Sequence, residues 1–355
     1  MIQKRRHPKP RRAVPHGFPR PFTLSDDYRA WIVENATRGL DPGEIVRALE
    51  SGGVPRNIAS REVQAILSSP AMPGARSLAR DLERHELLAR LLRSVASEDT
   101  SGGAIERRET LSGADFYDHY YARNRPVVLT RILDGWPALT KWSPAYFAER
   151  FGDVPVEVQT GRDSDPRHDV LMDAHRQTMT MRDFVDRVLS AGASNDIYMV
   201  SNNRALELPA LGPLLDDLTP PADIFATDAL KGAASLWFGP AGTRTALHHD
   251  TTNNLVCQIR GKKRFVLISP LETALLPRAR GYFCDADVAD LSAAGLGDVR
   301  CHTVELSAGE ALFIPAGWWH EVTALEISIH ISLLAFRRPS SMPWYRPGAV
   351  TGAPK

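Results

Sequence analysis

Two stretches far apart in the chain carry side chains that can share one ion: Thr245-Ala246-Leu247-His248-His249-Asp250 and Pro315-Ala316-Gly317-Trp318-Trp319-His320. In an extended strand residues i and i+2 share a face, so His248 and Asp250 can meet at one ion while His249 turns away. His320, from another strand, completes a set of two imidazoles and one carboxylate. Such a set covers one face of an octahedral ion and leaves the other positions open, the pattern of non-haem Fe(II) and oxygen chemistry. On its own a His-x-Asp is a common coincidence of polar residues near a turn.

Lys263 strengthens the pattern. It stands fifteen residues after His248, just past the Arg260-Gly261-Lys262 turn, and in a strand it shares a face with Phe265 and Leu267. A lysine inside a barrel needs an anionic partner, which a bound anion would provide. Pointing outward, it would merely extend the surface cluster of Arg260, Lys262 and Arg264. Its apolar companions favour the interior.

These residues need strands to position them, and the last third of the chain reads as strand and turn. Apolar segments at 234–239, 247–258, 263–268, 303–306, 311–314, 320–323 and 327–336 are divided by Gly and Pro turns, with 260–262 read as the turn of a hairpin. The expected fold class is α+β, mainly β: a jelly-roll barrel with flanking helices and a small N-terminal helical domain. Upstream lie an aromatic helix around Phe116 to Tyr121, a strand at 125–129, a Trp136-Pro137-Ala138 turn, a helix opened by Trp142 to Phe147, and further strands at 154–159 and 196–200. Trp318 and Trp319 are expected at the barrel rim and Trp237 in the core, because tryptophan beside strands is usually packing.

Residues 1–22 form a basic, Pro- and Arg-rich arm that is expected to be disordered, and that would meet nucleic acid or an acidic partner if it acts at all. Residues 23–97 read as a helical domain. Asp41-Pro42-Gly43-Glu44 supplies an N-cap, a first-position proline and a capping acid. A longer helix at 74–96 carries Leu78, Leu82, Leu87, Leu88, Leu91, Leu92 and Val95, a face for the chain's own core or for a second subunit, with own-core packing taken first. Residues 98–113 read as a linker, 114–336 as the catalytic domain and 337–355 as a Pro-rich tail.

Composition is that of an ordinary globular protein, 43% hydrophobic and 24% charged with a formal net charge of +1, so no global pull toward nucleic acid or membrane is expected. Three cysteines without a Cys-x-x-Cys indicate neither a disulfide framework nor a zinc knuckle. With no apolar run of spanning length, the expected location is the cytoplasm.

The stretches Thr245 to Arg264 and Gly309 to His320, with Arg125-Pro126-Val127-Val128-Leu129, Trp136-Pro137-Ala138 and Asp196-Ile197-Tyr198-Met199, resemble the JmjC-type, cupin-like Fe(II)- and 2-oxoglutarate-dependent hydroxylases. The similarity covers roughly Ala114 to Phe336 and is strongest to protein-hydroxylating members such as the asparaginyl hydroxylase acting on hypoxia-inducible factor. It implies that His248, Asp250 and His320 bind Fe(II). It also implies that Lys263 pairs with the far carboxylate of 2-oxoglutarate, that Thr245 and Tyr198 hydrogen-bond to the same end, and that Asn254 lines the co-substrate pocket. Thr245, three residues before His248, lies on the opposite face of a regular strand, so its part requires an irregularity there. Where relatives carry an asparagine on the last core strand, the alignment gives Ser332, two residues after His330. The expected activity is that of a dioxygenase hydroxylating a peptide or protein side chain. Alternatives are an oxygenase for modified RNA or a small molecule, demethylation by the same chemistry, and a non-catalytic cupin-like binding module. The substrate surface is expected in loops 160–178 and 271–300.

Overall fold

A computed structural model of the chain describes residues 24–98, 104–276, 282–284, 286, 288, 291 and 296–339. The basic arm at 1–22 and nearly all of the tail lie outside the described residues. The chain divides into two compact units, Met1–Ser94 and Val95–Lys355.

In the first unit, α1 (Asp26–Thr37), α2 (Pro42–Ser51) and α3 (Arg56–Leu67) enclose Ile32, Ile45, Leu49, Ala59 and Val63. Asp41 caps α2 by accepting the Gly43 and Glu44 amides at 2.8 and 3.2 Å, satisfying donors that the first turn leaves unpaired. The following helix, α4 (Ala71–Ser97), departs from expectation. Only Met72 of it is buried, and Leu78, Leu82, Leu87, Leu88, Leu91, Leu92 and Val95 are 46–73% exposed. The small cluster beneath α1 to α3 takes in only Met72 of α4, so the core of this unit does not cover the stripe.

The second unit contains β1 (Glu106–Arg108), α5 (Gly113–Phe116), β2 (Val127–Leu129), α6 (Pro137–Lys141), α7 (Pro144–Phe151), β3 (Pro155–Gln159), β4 (Arg176–Thr180) and α8 (Met181–Ser190). Then come β5 (Ala234–Gly239), β6 (Arg244–His249), β7 (Asn254–Arg260), β8 (Lys262–Ile268), β9 (Cys301–Ser307), β10 (Ala311–Ile314), β11 (Trp319–Ala324) and β12 (Ser328–Leu333). They build a jelly roll from a six-stranded sheet, β1-β2-β10-β7-β12-β5, and a four-stranded sheet, β6-β11-β8-β9. Between the sheets pack Val128, Val256, Phe265, Leu267, Leu306, Leu312 and Ile314. On its other face the larger sheet joins Phe147, Phe184 and neighbours from α7 and α8 in the main core.

Four expectations are corrected. Part of the stretch read as a linker is β1, an edge strand parallel to β2 with Glu106 opposite Val127; its Glu-Arg-Arg sequence hides it, because charged residues suit an exposed edge. Trp136-Pro137-Ala138 opens the short helix α6 with proline at its first position. Residues 196–200 form no strand; Tyr198 and Met199 make single bridges to Gln159 and Phe238. Finally, Arg260-Gly261-Lys262 is no hairpin turn, since β7 pairs with β10 and β12 whereas β8 pairs with β11 and β9. The chain crosses between sheets at Gly261, whose φ is +73° and where an added Cβ would stand 2.1 Å from the Ile327 carbonyl oxygen.

Candidate active site

β6 and β11 lie side by side with His248 opposite His320, and the register between them shifts so that Val322 faces Thr245. Three residues of β6 are thus spanned by two of β11, a bulge. The bulge is the irregularity that Thr245 requires: Thr245 and His248, which a regular strand would set on opposite faces, line one cavity. Asp250 follows His248 at the strand-like i+2 position. His249 turns the other way and packs edge-on against Trp319, with ring centroids 4.6 Å apart.

The two imidazoles are oriented by backbone carbonyls. His248 Nδ1 lies 2.8 Å from the Ala246 oxygen and His320 Nδ1 lies 2.9 Å from the Trp318 oxygen. A carbonyl only accepts, so each Nδ1 carries the proton and each Nε2 keeps a lone pair for a metal. Ligand atoms of His248, Asp250 and His320 lie within 4.8 Å of one another, and this is the one such cluster among the described residues. Burial and the neighbouring His248 press the His320 pKa down to about 4, so it stays neutral and able to ligate.

Beside the triad, an inner cavity is walled by Tyr198, Trp237, Thr245, Asn254, His330 and Ser332. Lys263 on β8 points inward with Phe265 and Leu267, 1% exposed, and donates to the Tyr198 hydroxyl at 2.7 Å. Burial pushes its pKa down to about 7, and Tyr198 cannot offset the charge because burial raises the phenol's pKa too. Trp237 Nε1, Asn254 Oδ1 and His330 Nδ1 are buried without a protein partner. Native proteins seldom leave so many polar atoms unmatched, and here they share one cavity. The donors here, Lys263, Tyr198 and Trp237 Nε1, fit the carboxylate of a small polar ligand. Asn254 Nδ2 makes a single long contact, 3.4 Å to Ser332 Oγ.

All seven residues singled out from sequence therefore come to one place, Lys263 through its bond to Tyr198. Trp237 corrects an expectation: it lines the cavity and stacks on His330, centroids 5.3 Å apart, instead of joining the core. The alternation Leu236, Trp237, Phe238, with Leu236 and Phe238 core-facing, contained that signal. Trp318 and Trp319 do serve packing, joining separate apolar clusters and bonding through Nε1 to Asn124 and Thr273. A larger outer cavity adjoins the inner one and adds Gln159, Asp169, Met172, Tyr282 and Phe283 to its walls.

A barrel with this cluster at its mouth defines the class, and comparison agrees: residues 113–341 match the model of the cupin-like domain, and the chain belongs to that family. Among its curated relatives are "Lysine-specific demethylase JMJ30" of Arabidopsis thaliana, 30% identical over 64% of this chain and 54% of the relative. "tRNA wybutosine-synthesizing protein 5" of Danio rerio is 30% identical over 63% and 73%. "Bifunctional peptidase and (3S)-lysyl hydroxylase JMJD7" of Homo sapiens is 29% identical over 58% and 76%. The chain spans about half the length of the first relatives that it matches.

Proposed function

We propose that the protein is an Fe(II)- and 2-oxoglutarate-dependent oxygenase that hydroxylates a side chain of a peptide or protein. The observation that carries this reading is Lys263, a buried lysine that donates to the hydroxyl of Tyr198, which lines one cavity with His248, Asp250 and His320.

His248, Asp250 and His320 would hold the iron, the two histidines through Nε2. Lys263 and Tyr198 would bind the far carboxylate of 2-oxoglutarate, with Thr245 and Asn254 on the same wall. When bound, iron and 2-oxoglutarate together supply the oxidant that places one oxygen atom from O₂ into a C–H bond, with succinate and carbon dioxide as the other products. The chain's own part is to orient the ligands, to bury the co-substrate away from water and to present the substrate through the outer cavity.

No lysine or arginine is among the described residues lining that outer cavity, so those residues offer a nucleic-acid backbone no counter-charge. A peptide is therefore favoured over RNA, and relatives named for protein lysine chemistry support it. The three cysteines are unpaired, which suits the reducing cytosol, and no helix among the described residues is long and apolar enough to cross a membrane. The uncovered leucine face of α4 supports self-association through the N-terminal helices.

The deciding experiment incubates the protein with Fe(II), ascorbate and 2-oxoglutarate, with and without cell extract, measuring succinate and peptides heavier by one oxygen atom. A His248→Ala control should give neither. Absence of succinate, together with absence of Fe(II) or Mn(II) binding, would overturn the enzyme reading in favour of a binding module.

A further inference from the structure

The outer edge of β6 is bridged by Tyr282 to Cys284 at Leu247 to His249, but at Arg244 and Ala246 no strand among the described residues lies beside it, and the peptide groups there are satisfied by side chains. Asn195 Oδ1 accepts the Arg244 amide at 2.8 Å, Arg162 Nη2 donates to the Arg244 carbonyl at 2.6 Å, and Asp169 Oδ2 accepts the Ala246 amide at 2.8 Å. These side chains are also locked to one another. Arg162 Nη2 meets Asp169 Oδ1 at 3.2 Å and Asn195 Oδ1 at 3.3 Å, its Nε donates to the Asn195 carbonyl at 3.1 Å, and its Nη1 donates to Gln159 Oε1. The guanidinium is wholly buried and lies 5.4 Å from the centroid of the Tyr198 ring.

A buried ion pair is a weak source of stability, because apolar residues of similar volume often serve as well, and fixing a geometry is a use that suits it. The geometry at stake is the bulge. β6 must keep Thr245 and His248 on one wall although they are three residues apart, and its outer edge is bridged at His248 to Phe283, whereas at Arg244 to Ala246 only side chains oppose relaxation toward regular alternation. Ala246 is the pivot, since its amide is held by Asp169 and its carbonyl orients the His248 ring.

We propose that Arg162, Asp169 and Asn195 are positioning residues that stand in for the missing strand. They hold the bulged β6 so that His248 and Thr245 face the same cavity. Asp169 also lines the outer cavity, so the group that pins the ligand-bearing strand belongs to the wall that a seated substrate meets. The functional half of this proposal rests on the reading of that cavity as a metal and 2-oxoglutarate site.

The test uses the full chain with Asp169→Ala and Asp169→Asn, the second of which keeps an oxygen for the Ala246 amide. Two readouts are taken: amide hydrogen exchange along residues 244–249 of the metal-free protein, and calorimetric binding of Mn(II) and then 2-oxoglutarate. In Asp169→Ala, exchange at Ala246 should speed up about tenfold or more and the 2-oxoglutarate dissociation constant should rise about tenfold, while β8 keeps its protection. Asp169→Asn should restore the Ala246 protection and most of the affinity, which a loss through general loosening would not do. Unchanged exchange and affinity in Asp169→Ala overturns the proposal. Should that variant lose protection throughout the barrel, Asn195→Ala, which removes the side-chain acceptor shared by the Arg244 amide and Arg162 and leaves Asp169 in place, decides by the same readouts at Arg244. If the unaltered protein binds neither Mn(II) nor 2-oxoglutarate, the functional reading fails, while the exchange data still judge the clamp.

Discussion

Lys263 and Tyr198 meet inside the barrel, the ammonium donating to the phenol oxygen at 2.7 Å and lying 5.1 Å from the ring centroid. A neutral hydroxyl half-satisfies a charge that burial disfavours. The pair is therefore a poor element of stability and a good receptor for a carboxylate.

Replacing Lys263 by Met should separate these two properties. The ligand-free protein is expected to gain about 1–4 kcal/mol, as buried charges replaced by apolar residues do, in urea unfolding at neutral pH. In the same variant 2-oxoglutarate affinity should fall at least thirtyfold, roughly the loss of one partner of a buried charge pair. A variant that binds 2-oxoglutarate normally would remove Lys263 from the co-substrate site.

The pH dependence follows from the sign of the Lys263 shift. The folded-state pKa is about 7, whereas an unfolded lysine titrates near about 10.4. Between those values the unfolded chain binds more protons, so this group makes stability rise with pH across that window and adds no slope below it. Binding of a carboxylate favours the ammonium and raises the lysine pKa in the complex. Affinity for 2-oxoglutarate is thus expected to be flat below about pH 7 and to fall by up to about tenfold per unit above it. Calorimetry in buffers of different ionisation enthalpy should show uptake of up to one proton above that point, and Lys263→Met should abolish it.

Gly261→Ala addresses the crossing between sheets. With φ at +73° and the Ile327 carbonyl 2.1 Å from the new Cβ, strain and clash act together. A loss of about 3 kcal/mol or more is expected in chemical unfolding. Gly309→Ala, at φ +92° with nothing within 4 Å, should cost about 1 kcal/mol and isolates the steric part.

The face of α4 gives a prediction about assembly. Each half-exposed leucine leaves roughly 1 kcal/mol of burial unrealised, so six of them together with Val95 can offset the cost of association. Sedimentation should find a dimer that Leu88→Glu with Leu92→Glu converts to monomer. A monomer before substitution would assign the face to another partner.

Much of the site was legible because its logic is local. The alternation that sets His248 with Asp250, and Lys263 with Phe265 and Leu267, survives in the fold. Long-range pairing was less legible. Nothing near Gly261 distinguishes a hairpin from a crossing, since the outcome depends on which distant strands, β10 and β12 or β11 and β9, claim each side. Arg162, Asp169 and Asn195 escaped for the same reason: in sequence they are ordinary polar loop residues, and their meaning comes from a strand edge some fifty to eighty residues downstream.

That strand edge has one more consequence. An open β-edge carrying free amides and carbonyls is a template on which another molecule's strand can grow. By filling the edge of β6 at Arg244 to Ala246 with an arginine, an aspartate and an asparagine, the chain denies that part of the template to its neighbours. Loss of the clamp should therefore be felt at high protein concentration as well, as turbidity and fibrillar dye binding on storage, before any loss of fold is seen.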